Sequence, residues 1–88
     1  MALKLYANYL SQPSRAVLFF LLENSIPFEF KNVDMAKQEQ RKEEFLKINP
    51  NGLVPVIVED DGFALYESHA ILSYLAGKYN VPEHWLGI

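Results

Sequence analysis

The fold is decided by residues 3–33, LKLYANYLSQPSRAVLFFLLENSIPFEFKNV. The weakly alternating run Leu3 to Ala7 predicts a first strand, and the alternation from Phe28 to Val33 predicts a second one. Between them, Pro13 is best placed at the first helical position, where its missing N–H costs nothing, and the helix is expected to continue to about Glu23. This placement makes Gln12 the cap and leaves Ser11 just outside the helix, with a hydroxyl that capping does not need. Two strands joined by such a helix are expected to be parallel, with a right-handed crossover.

The remainder of the chain predicts a helix, a hairpin and a third helix. The highly charged stretch Lys37 to Lys47 predicts a short, exposed second helix. Val54 to Val58 and Phe63 to Tyr66 predict two strands, joined by a hairpin turn at Asp60-Asp61-Gly62. Ser68 is predicted to cap the third helix. The order βαβ-α-ββα indicates an α/β protein of thioredoxin-like arrangement, a four-stranded mixed sheet with helices on both faces.

Composition excludes several classes of protein. The 88 residues are 50% hydrophobic and 14% aromatic, which excludes disorder and allows one domain with a modest core. The net charge of −3, with both signs interspersed, gives no reason to expect a nucleic-acid partner. The longest unbroken apolar run, Ala16 to Leu22, is far shorter than a membrane span, so no membrane partner is expected.

Reactive side chains are scarce in this sequence. The chain has no cysteine, which excludes disulfides, Cys-based zinc sites and dithiol redox chemistry. Its two histidines, His69 and His84, lack the spacing of metal ligands, and no metal site is predicted. Met1 leads directly into strand-like sequence without a signal-peptide pattern, so we expect a cytoplasmic protein.

The first helix has more apolar residues than one sheet face requires. Residues 17–22 are apolar almost all the way around the helix, whereas a helix that covers a sheet needs only an apolar stripe. We therefore expect its outer face to contact another element that this chain lacks, or a second copy of the chain. The alternative is a small domain that tolerates exposed leucines.

Glu67 and Ser68 form the strongest candidate site on physical grounds. Ser68 at a helix cap would present its hydroxyl and the amides behind it to an anion, and Glu67 beside it would take an ammonium group. The pair therefore suits an α-amino acid zwitterion. The alternative is an ordinary helix cap, worth about 1 kcal/mol of stability.

Three other places are weaker candidates when each is taken alone. Val54-Pro55 is unusual strand sequence, because proline has no N–H to give to a neighbouring strand. A cis bond there would turn the Val54 amide and carbonyl outward, as an unpaired edge that docks an extended peptide. Most X-Pro bonds are trans, so the sequence alone does not predict a cis bond. Serines before helices are usually caps or turn formers, yet the Ser11 hydroxyl would lower the pKa of a thiol if it donated a hydrogen bond to the sulfur. Gln40 and Arg41, within the charged stretch, are able to reach a terminal carboxylate.

Read in chain order, these segments resemble the N-terminal domain of glutathione transferases, and the theta class most closely. The resemblance covers essentially the whole chain. It rests on Ser11-Gln12-Pro13-Ser14-Arg15-Ala16, on Phe45 to Gly52 followed by Val54-Pro55, and on Glu67 to Leu75.

The resemblance implies a role for each candidate residue. Ser11 would be the catalytic residue, hydrogen-bonding the glutathione thiolate as it attacks an electrophilic carbon. Val54 would pair its backbone with the cysteinyl unit, beside a cis Pro55. Glu67 and Ser68 would hold the γ-glutamyl group, and Gln40 and Arg41 would approach the glycyl carboxylate. With glutathione as co-substrate and no metal, the implied glutathione-binding set is Gln12, Gln40, Arg41, Leu53, Val54, Pro55, Glu67 and Ser68.

Two departures from the family qualify this resemblance. The theta pattern often has His-Lys in place of Gln40-Arg41 and a lysine in place of Leu53, which would remove a positive contact to the glycyl carboxylate. The family also continues into an all-helical domain that supplies most of the electrophile pocket. We therefore expect residues 1–80 to form a glutathione-binding domain and residues 81–88 to begin a linker to an absent helical domain.

Two functions follow from the sequence. The first is the glutathione-binding domain of a detoxifying glutathione transferase that acts on small electrophiles, with weak or no turnover without the helical domain. The alternative is a non-catalytic thioredoxin-fold interaction module or an engineered minimal domain, favoured by the apolar surface of the first helix.

Overall fold

The computed structural model describes residues 3–80, so the predicted linker at residues 81–88 and His84 lie outside the described part. A 3₁₀ turn at Glu39–Arg41 separates β2 from α2. The strands are β1 Leu3–Ala7, β2 Phe28–Asn32, β3 Val56–Val58 and β4 Ala64–Tyr66, and the helices are α1 Gln12–Glu23, α2 Glu43–Leu46 and α3 Ser68–Tyr79.

The four strands form one mixed sheet in the order β2-β1-β3-β4. β1 and β2 are parallel, with Leu3 opposite Phe28 and Leu5 opposite Phe30, which confirms the predicted strand–helix–strand unit. β3 pairs antiparallel with both β1 and β4, and the predicted turn at residues 60–62 closes the hairpin. The prediction of a four-stranded mixed sheet with helices on both faces is confirmed.

Alternation along the strands sends side chains to two separate cores. Leu3 and Leu5 point to the face covered by α1 and α3, while Tyr6 points to the opposite face and packs against Phe45 of α2, with ring centroids 6.2 Å apart. The core of the first face contains Leu3, Leu5, Ala7, Val17, Leu18, Phe20, Leu21, Ile26, Ile57, Ile71, Leu75 and Ala76, and that of the second contains Val33, Phe45 and Val56.

Helix α1 begins one residue earlier than predicted. Ser11, and not Gln12, is the N-cap: its backbone is extended and its Oγ accepts a hydrogen bond from Ser14 N at 3.3 Å. The prediction that Ser11 lies outside the helix, with an uncommitted hydroxyl, is therefore wrong. Pro13 occupies the second helical position instead of the first, where its missing N–H is equally harmless because that group would have no intrahelical partner.

The charged stretch does not form the single second helix that was predicted. It forms a turn, then the 3₁₀ turn, then the one-turn α2, with Gln38 in the left-handed region at φ 59°. Residues 37–44 contain no apolar side chain, so a continuous helix there would have no stripe to bury against the sheet. Only Phe45 and the residues after it reach the core.

Two strands start later than predicted, and α3 starts one residue earlier. β3 begins at Val56 instead of Val54, because Pro55 has no N–H to give to a ladder, and β4 begins at Ala64 instead of Phe63. β2 ends one residue earlier than predicted, at Asn32. Ser68 is the first residue of α3 and not its cap, because the chain passes from β4 into the helix through Glu67 alone.

Glu59 connects the hairpin to α3 through its side chain. Its Oε2 accepts hydrogen bonds from Tyr74 Oη at 2.6 Å and from Lys78 Nζ at 2.5 Å. Burial acts to raise the pKa of Glu59, but the hydrogen bonds from Lys78 and Tyr74 outweigh it and hold that pKa below its ordinary value. The same hydrogen bonds raise the pKa values of Tyr74 and Lys78.

Within residues 3–80, no helix combines the length and the apolar character needed to cross a bilayer.

Candidate functional site

The hydroxyl of Ser11 lies at the N-terminus of α1, at the end of the loop that follows β1. The cap hydrogen bond from Ser14 N uses a lone pair of Oγ, and Ser11 N donates to Asn8 O at 3.0 Å. A serine hydroxyl has one proton to donate in addition to its two lone pairs. Capping therefore leaves Ser11 able to donate a hydrogen bond to a ligand at the start of α1.

Glu67 is the second feature of the site, at the junction of β4 and α3. Its φ of 81° is a strained conformation for a residue with a side chain. The carboxylate is exposed and makes no capping hydrogen bond to α3. The first helical hydrogen bond runs from Ile71 N to Glu67 O, so the preceding amides of α3 have no intrahelical partner.

Val54 is the third feature of the site, and it lines the same cavity as Pro13 of α1 and Ser68 of α3. The Val54–Pro55 peptide bond is cis, as the resemblance implied. The β1–β3 ladder begins at Val56, and Val54 makes no main-chain hydrogen bond within residues 3–80. Its amide and carbonyl are therefore unpaired just before the start of β3.

Asn49 fixes the loop that leads into Val54. Its side chain is only 1% exposed; Nδ2 donates to Leu53 O at 2.9 Å and Oδ1 accepts from Asn51 N at 3.0 Å. Both hydrogen bonds close the loop on itself, so the path of residues 49–53 is set from within. The sequence interpretation missed this role, although the turn-forming run Asn49-Pro50-Asn51-Gly52 was a signal for it.

Two adjoining cavities connect most of the predicted residues. The first, of about 280 Å³ and called here the Val54 cavity, is lined by Pro13, Asn49, Asn51, Leu53, Val54, Pro55, Tyr66, Glu67 and Ser68. The second, of about 440 Å³ and called the Gln40 cavity, is lined by Met35, Gln40, Arg41, Leu46, Pro50, Asn51, Gly52 and Leu53. Because both are lined by Asn51 and Leu53, the two cavities adjoin at this loop, and together they are called here the groove, which extends from the start of α3 to the 3₁₀ turn.

The Gln40 cavity depends on a close approach of two backbones. Gly52 has φ 65°, and a Cβ placed on it would lie 3.1 Å from Gln40 O. Only glycine fits this conformation without strain. The Oε1 atom of Gln40 is buried and has no hydrogen-bond partner within residues 3–80, which leaves that side chain with unused hydrogen-bonding capacity.

Two predicted residues, Ser11 and Gln12, are not among the residues that line the two cavities. Ser11 lines neither cavity, although Pro13, two residues later in the chain, lines the Val54 cavity. Gln12 is exposed in the first turn of α1 and lines neither cavity. The other seven residues of the implied glutathione-binding set line one or both cavities.

Known proteins share this fold and this sequence. A family model described as the N-terminal domain of glutathione S-transferase matches residues 11–78. Glutathione S-transferase theta-1 of Mus musculus is 48% identical over 97% of this chain, and theta-2 of Homo sapiens is 47% identical over the same share. The alignments cover 35% and 34% of those two proteins, so the chain spans about a third of their length.

Solved structures agree with these relatives. Human glutathione transferase theta-2, in complex with glutathione and an unknown ligand, matches with a TM-score of 0.89 and 46% identity over 96% of this chain and 34% of that one. A glutathione transferase homolog from Sulfitobacter with bound glutathione matches with a TM-score of 0.85 and 35% identity, over 90% and 38%. The chain therefore belongs to the glutathione S-transferase family, as an N-terminal domain of thioredoxin-like fold homologous to theta-class members.

Proposed function

We propose that this chain binds glutathione and stabilises its thiolate for attack on electrophiles. The observation that carries the proposal is the pair of adjoining cavities, the Val54 and Gln40 cavities, which are both lined by Asn51 and Leu53. Glutathione is a tripeptide with an amino-acid group at one end, a carboxylate at the other and a thiol between them. The groove offers groups that complement these three parts in the same order.

The γ-glutamyl end is assigned to the start of α3. The exposed carboxylate of Glu67 pairs with the ammonium, and the Ser68 hydroxyl with the first amides of α3 binds the α-carboxylate. The helix dipole adds to the attraction for that anion. Both charges of the amino-acid group therefore find partners within two adjacent residues.

The middle and the far end of the tripeptide follow the groove. The unpaired amide and carbonyl of Val54 suit the main chain of the cysteinyl unit, in the manner of an added strand. Arg41 and Gln40 are placed for the glycyl carboxylate. Leu53, which is 58% exposed where the two cavities meet, adds no charge, so this end is the weaker one.

Ser11 supplies the chemistry by donating its proton toward the thiolate. A hydrogen bond to a charged acceptor is worth about 1.5–3 kcal/mol, which corresponds to a thiol pKa about one to two units below its free value. The thiolate then forms a sulfur–carbon bond with an electrophile, while a leaving group departs with its electron pair. Addition to an activated double bond is the other course of the same attack.

The rest of the enzyme belongs to this proposal as well. We assign residues 1–80 to the glutathione-binding domain and residues 81–88 to a linker toward a helical domain that completes the electrophile pocket. The support is that the relatives are about three times as long as this chain. Turnover by this chain alone is expected to be weak or absent. A cytoplasmic detoxifying role stays a prediction.

Calorimetric titration of the folded chain with glutathione tests the proposal. We expect saturable heat at millimolar ligand, and a weaker titration for Glu67→Gln, which removes the charge that faces the ammonium. Glu23→Gln is the matched control, because it makes the same charge change at the exposed far end of α1. Absence of heat in a demonstrably folded sample, or equal weakening by both variants, would contradict the proposal.

A non-catalytic interaction module is the second candidate function. Phe19 and Leu22 are each 58% exposed on the outer face of α1, as expected from the apolar run in the sequence. Exposed large apolar side chains on neighbouring turns favour contact with another protein surface. This candidate requires association, with a helical domain or with a second copy, and no thiol chemistry.

A further inference from the structure

Asn8 is a buried polar residue that the proposed chemistry does not use directly. It follows β1 immediately and is only 9% exposed. Its side chain makes two hydrogen bonds: Nδ2 donates to Val33 O at 2.7 Å, and Oδ1 accepts from Leu10 N at 2.8 Å. Asn8 therefore ties the loop before α1 to Val33, the residue that directly follows the neighbouring strand β2.

The main chain of Asn8 makes two further hydrogen bonds, both toward the start of α1. Asn8 O accepts from Ser11 N at 3.0 Å, and Asn8 N donates to Ser14 Oγ at 3.3 Å. Ser14 N in turn donates to Ser11 Oγ at 3.3 Å. These three hydrogen bonds form a closed ring through Asn8, Ser11 and Ser14, in which the Ser11 hydroxyl oxygen is one of the acceptors.

We propose that Asn8 is a positioning residue that holds the Ser11 hydroxyl where it donates to the thiolate of bound glutathione. The inference rests on the proposed function, and it concerns the thiol alone. The side chain of Asn8 anchors residue 8 to β2, its carbonyl fixes the backbone of Ser11, and Ser14 fixes the Ser11 oxygen. None of the groups assigned to the two ends of glutathione belongs to this ring.

The anchor matters because hydrogen bonds weaken steeply with distance and angle. Without the Asn8 side chain, Val33 O and Leu10 N lose their partners and the loop of residues 8–11 is no longer attached to β2 through that side chain. The Arg15 side chain still holds the same loop through Tyr9 O at 2.7 Å, so the loop is loosened without being released. A shift of the Ser11 oxygen then costs thiolate stabilisation while the groove keeps its lining.

The test compares Asn8→Ala with wild type in two titrations. The pKa of bound glutathione is measured from the ultraviolet absorbance of its thiolate, and the affinity for S-methylglutathione, which has no thiol, is measured by calorimetry. We expect the bound thiol pKa to rise by about one unit, toward the free value of about 8.5, with the S-methylglutathione affinity within twofold of wild type. Asn24→Ala is the matched control, because Asn24 Nδ2 also donates to a main-chain carbonyl, Phe20 O, at the opposite end of α1.

Each outcome decides the inference. A bound thiol pKa equal to that of wild type, or a loss of S-methylglutathione affinity as large as the loss for glutathione, overturns it. Should Asn8→Ala not fold, Ser14→Ala decides, because it opens the ring at one hydrogen bond and leaves the Asn8 anchors in place; it must raise the same pKa. A wild-type chain that does not bind glutathione refutes the proposed function itself, whereas a wild-type chain that lowers the thiol pKa without help from Asn8 refutes only this inference.

Discussion

Ser11 has two separate physical roles on its single hydroxyl. The oxygen caps α1 by accepting from Ser14 N, and the proton is assigned to the glutathione sulfur. Capping is a contribution to stability, whereas donation to sulfur is a contribution to chemistry. Different substitutions are able to separate the two.

We expect Ser11→Ala and Ser11→Gly to have the same effect on the pKa of the bound thiol but different effects on the free energy of unfolding. Both remove the hydroxyl, so both should raise the pKa of the bound glutathione thiol to the same extent. As an N-cap, alanine costs about 1 kcal/mol relative to serine, whereas glycine costs only a few tenths. Denaturant unfolding and thiolate absorbance measure the two quantities. A normal thiol pKa in Ser11→Gly would show that the hydroxyl only caps the helix.

The sequence-based predictions differ most from the structure in the roles of single residues. Ser11 was assigned outside α1 because Pro13 was placed first in the helix, yet both of the first two helical positions tolerate proline. The importance of Asn8 was not predicted, because its partners, Val33 and Ser14, are brought to it by β2 and α1. Side chains that act across the fold have no local sequence pattern.

Whole elements were predicted more reliably than their ends. The structure contains all five segments that have clear periodicity or turn chemistry: β1, α1, β2, the hairpin and α3. These segments were predicted because hydrophobic alternation and helical spacing indicate which side chains are buried. The charged stretch was assigned one helix, but it lacks apolar residues to bury and breaks into shorter pieces. The groove itself follows from the loop closed by Asn49, and no periodicity encodes such a loop.

Glu59 makes the hairpin and α3 depend on pH. Because its pKa is lowered in the folded chain, its contribution to the free energy of unfolding is complete above the ordinary value of 4.5 and is lost as the pH falls through the lower, folded pKa. We expect Glu59→Gln to cost about 1 kcal/mol at neutral pH, as a charge-assisted hydrogen bond is replaced. The difference from wild type should shrink as the solution is acidified.

Urea unfolding at several pH values checks this expectation. Glu29→Gln is the matched control, because Glu29 also pairs with a lysine, Lys31 at 2.9 Å, but on the exposed surface of β2. Exposed pairs contribute little to stability, so this variant should match wild type at neutral pH. A Glu59→Gln chain with the stability and acid profile of wild type would mean that the contact between Glu59 and α3 contributes nothing.

At the scale of the whole molecule, the described residues leave an apolar surface on α1. Phe19 and Leu22 are buried less than halfway, although α1 packs its other side into the core. The relatives extend for about twice the length of this chain beyond the matched part. The proposed helical domain or a second copy of the chain would cover this surface.

We expect the double variant Phe19→Gln, Leu22→Gln to fold normally and to associate less. Exposed positions usually change the free energy of unfolding by no more than about 0.5 kcal/mol each. Sedimentation over a range of concentrations should show self-association of the wild-type chain that the double variant lacks. Leu53→Gln, at an equally exposed position on the groove, is the control and should associate like wild type. A wild-type chain that is monomeric at every concentration would argue against a homodimer through this face.

The backbone conformation of Glu67 lowers the stability of the fold, while its side chain is assigned to ligand binding. Holding a glutamate at φ 81° costs the folded state about 1–3 kcal/mol of backbone strain. Glycine at this position would adopt the same conformation without that strain. Selection for heat resistance alone would therefore favour glycine at this junction and erase the negative charge beside the start of α3. Engineering this domain for higher thermal stability should therefore keep Glu67, because its carboxylate is the group proposed to bind the ammonium of glutathione.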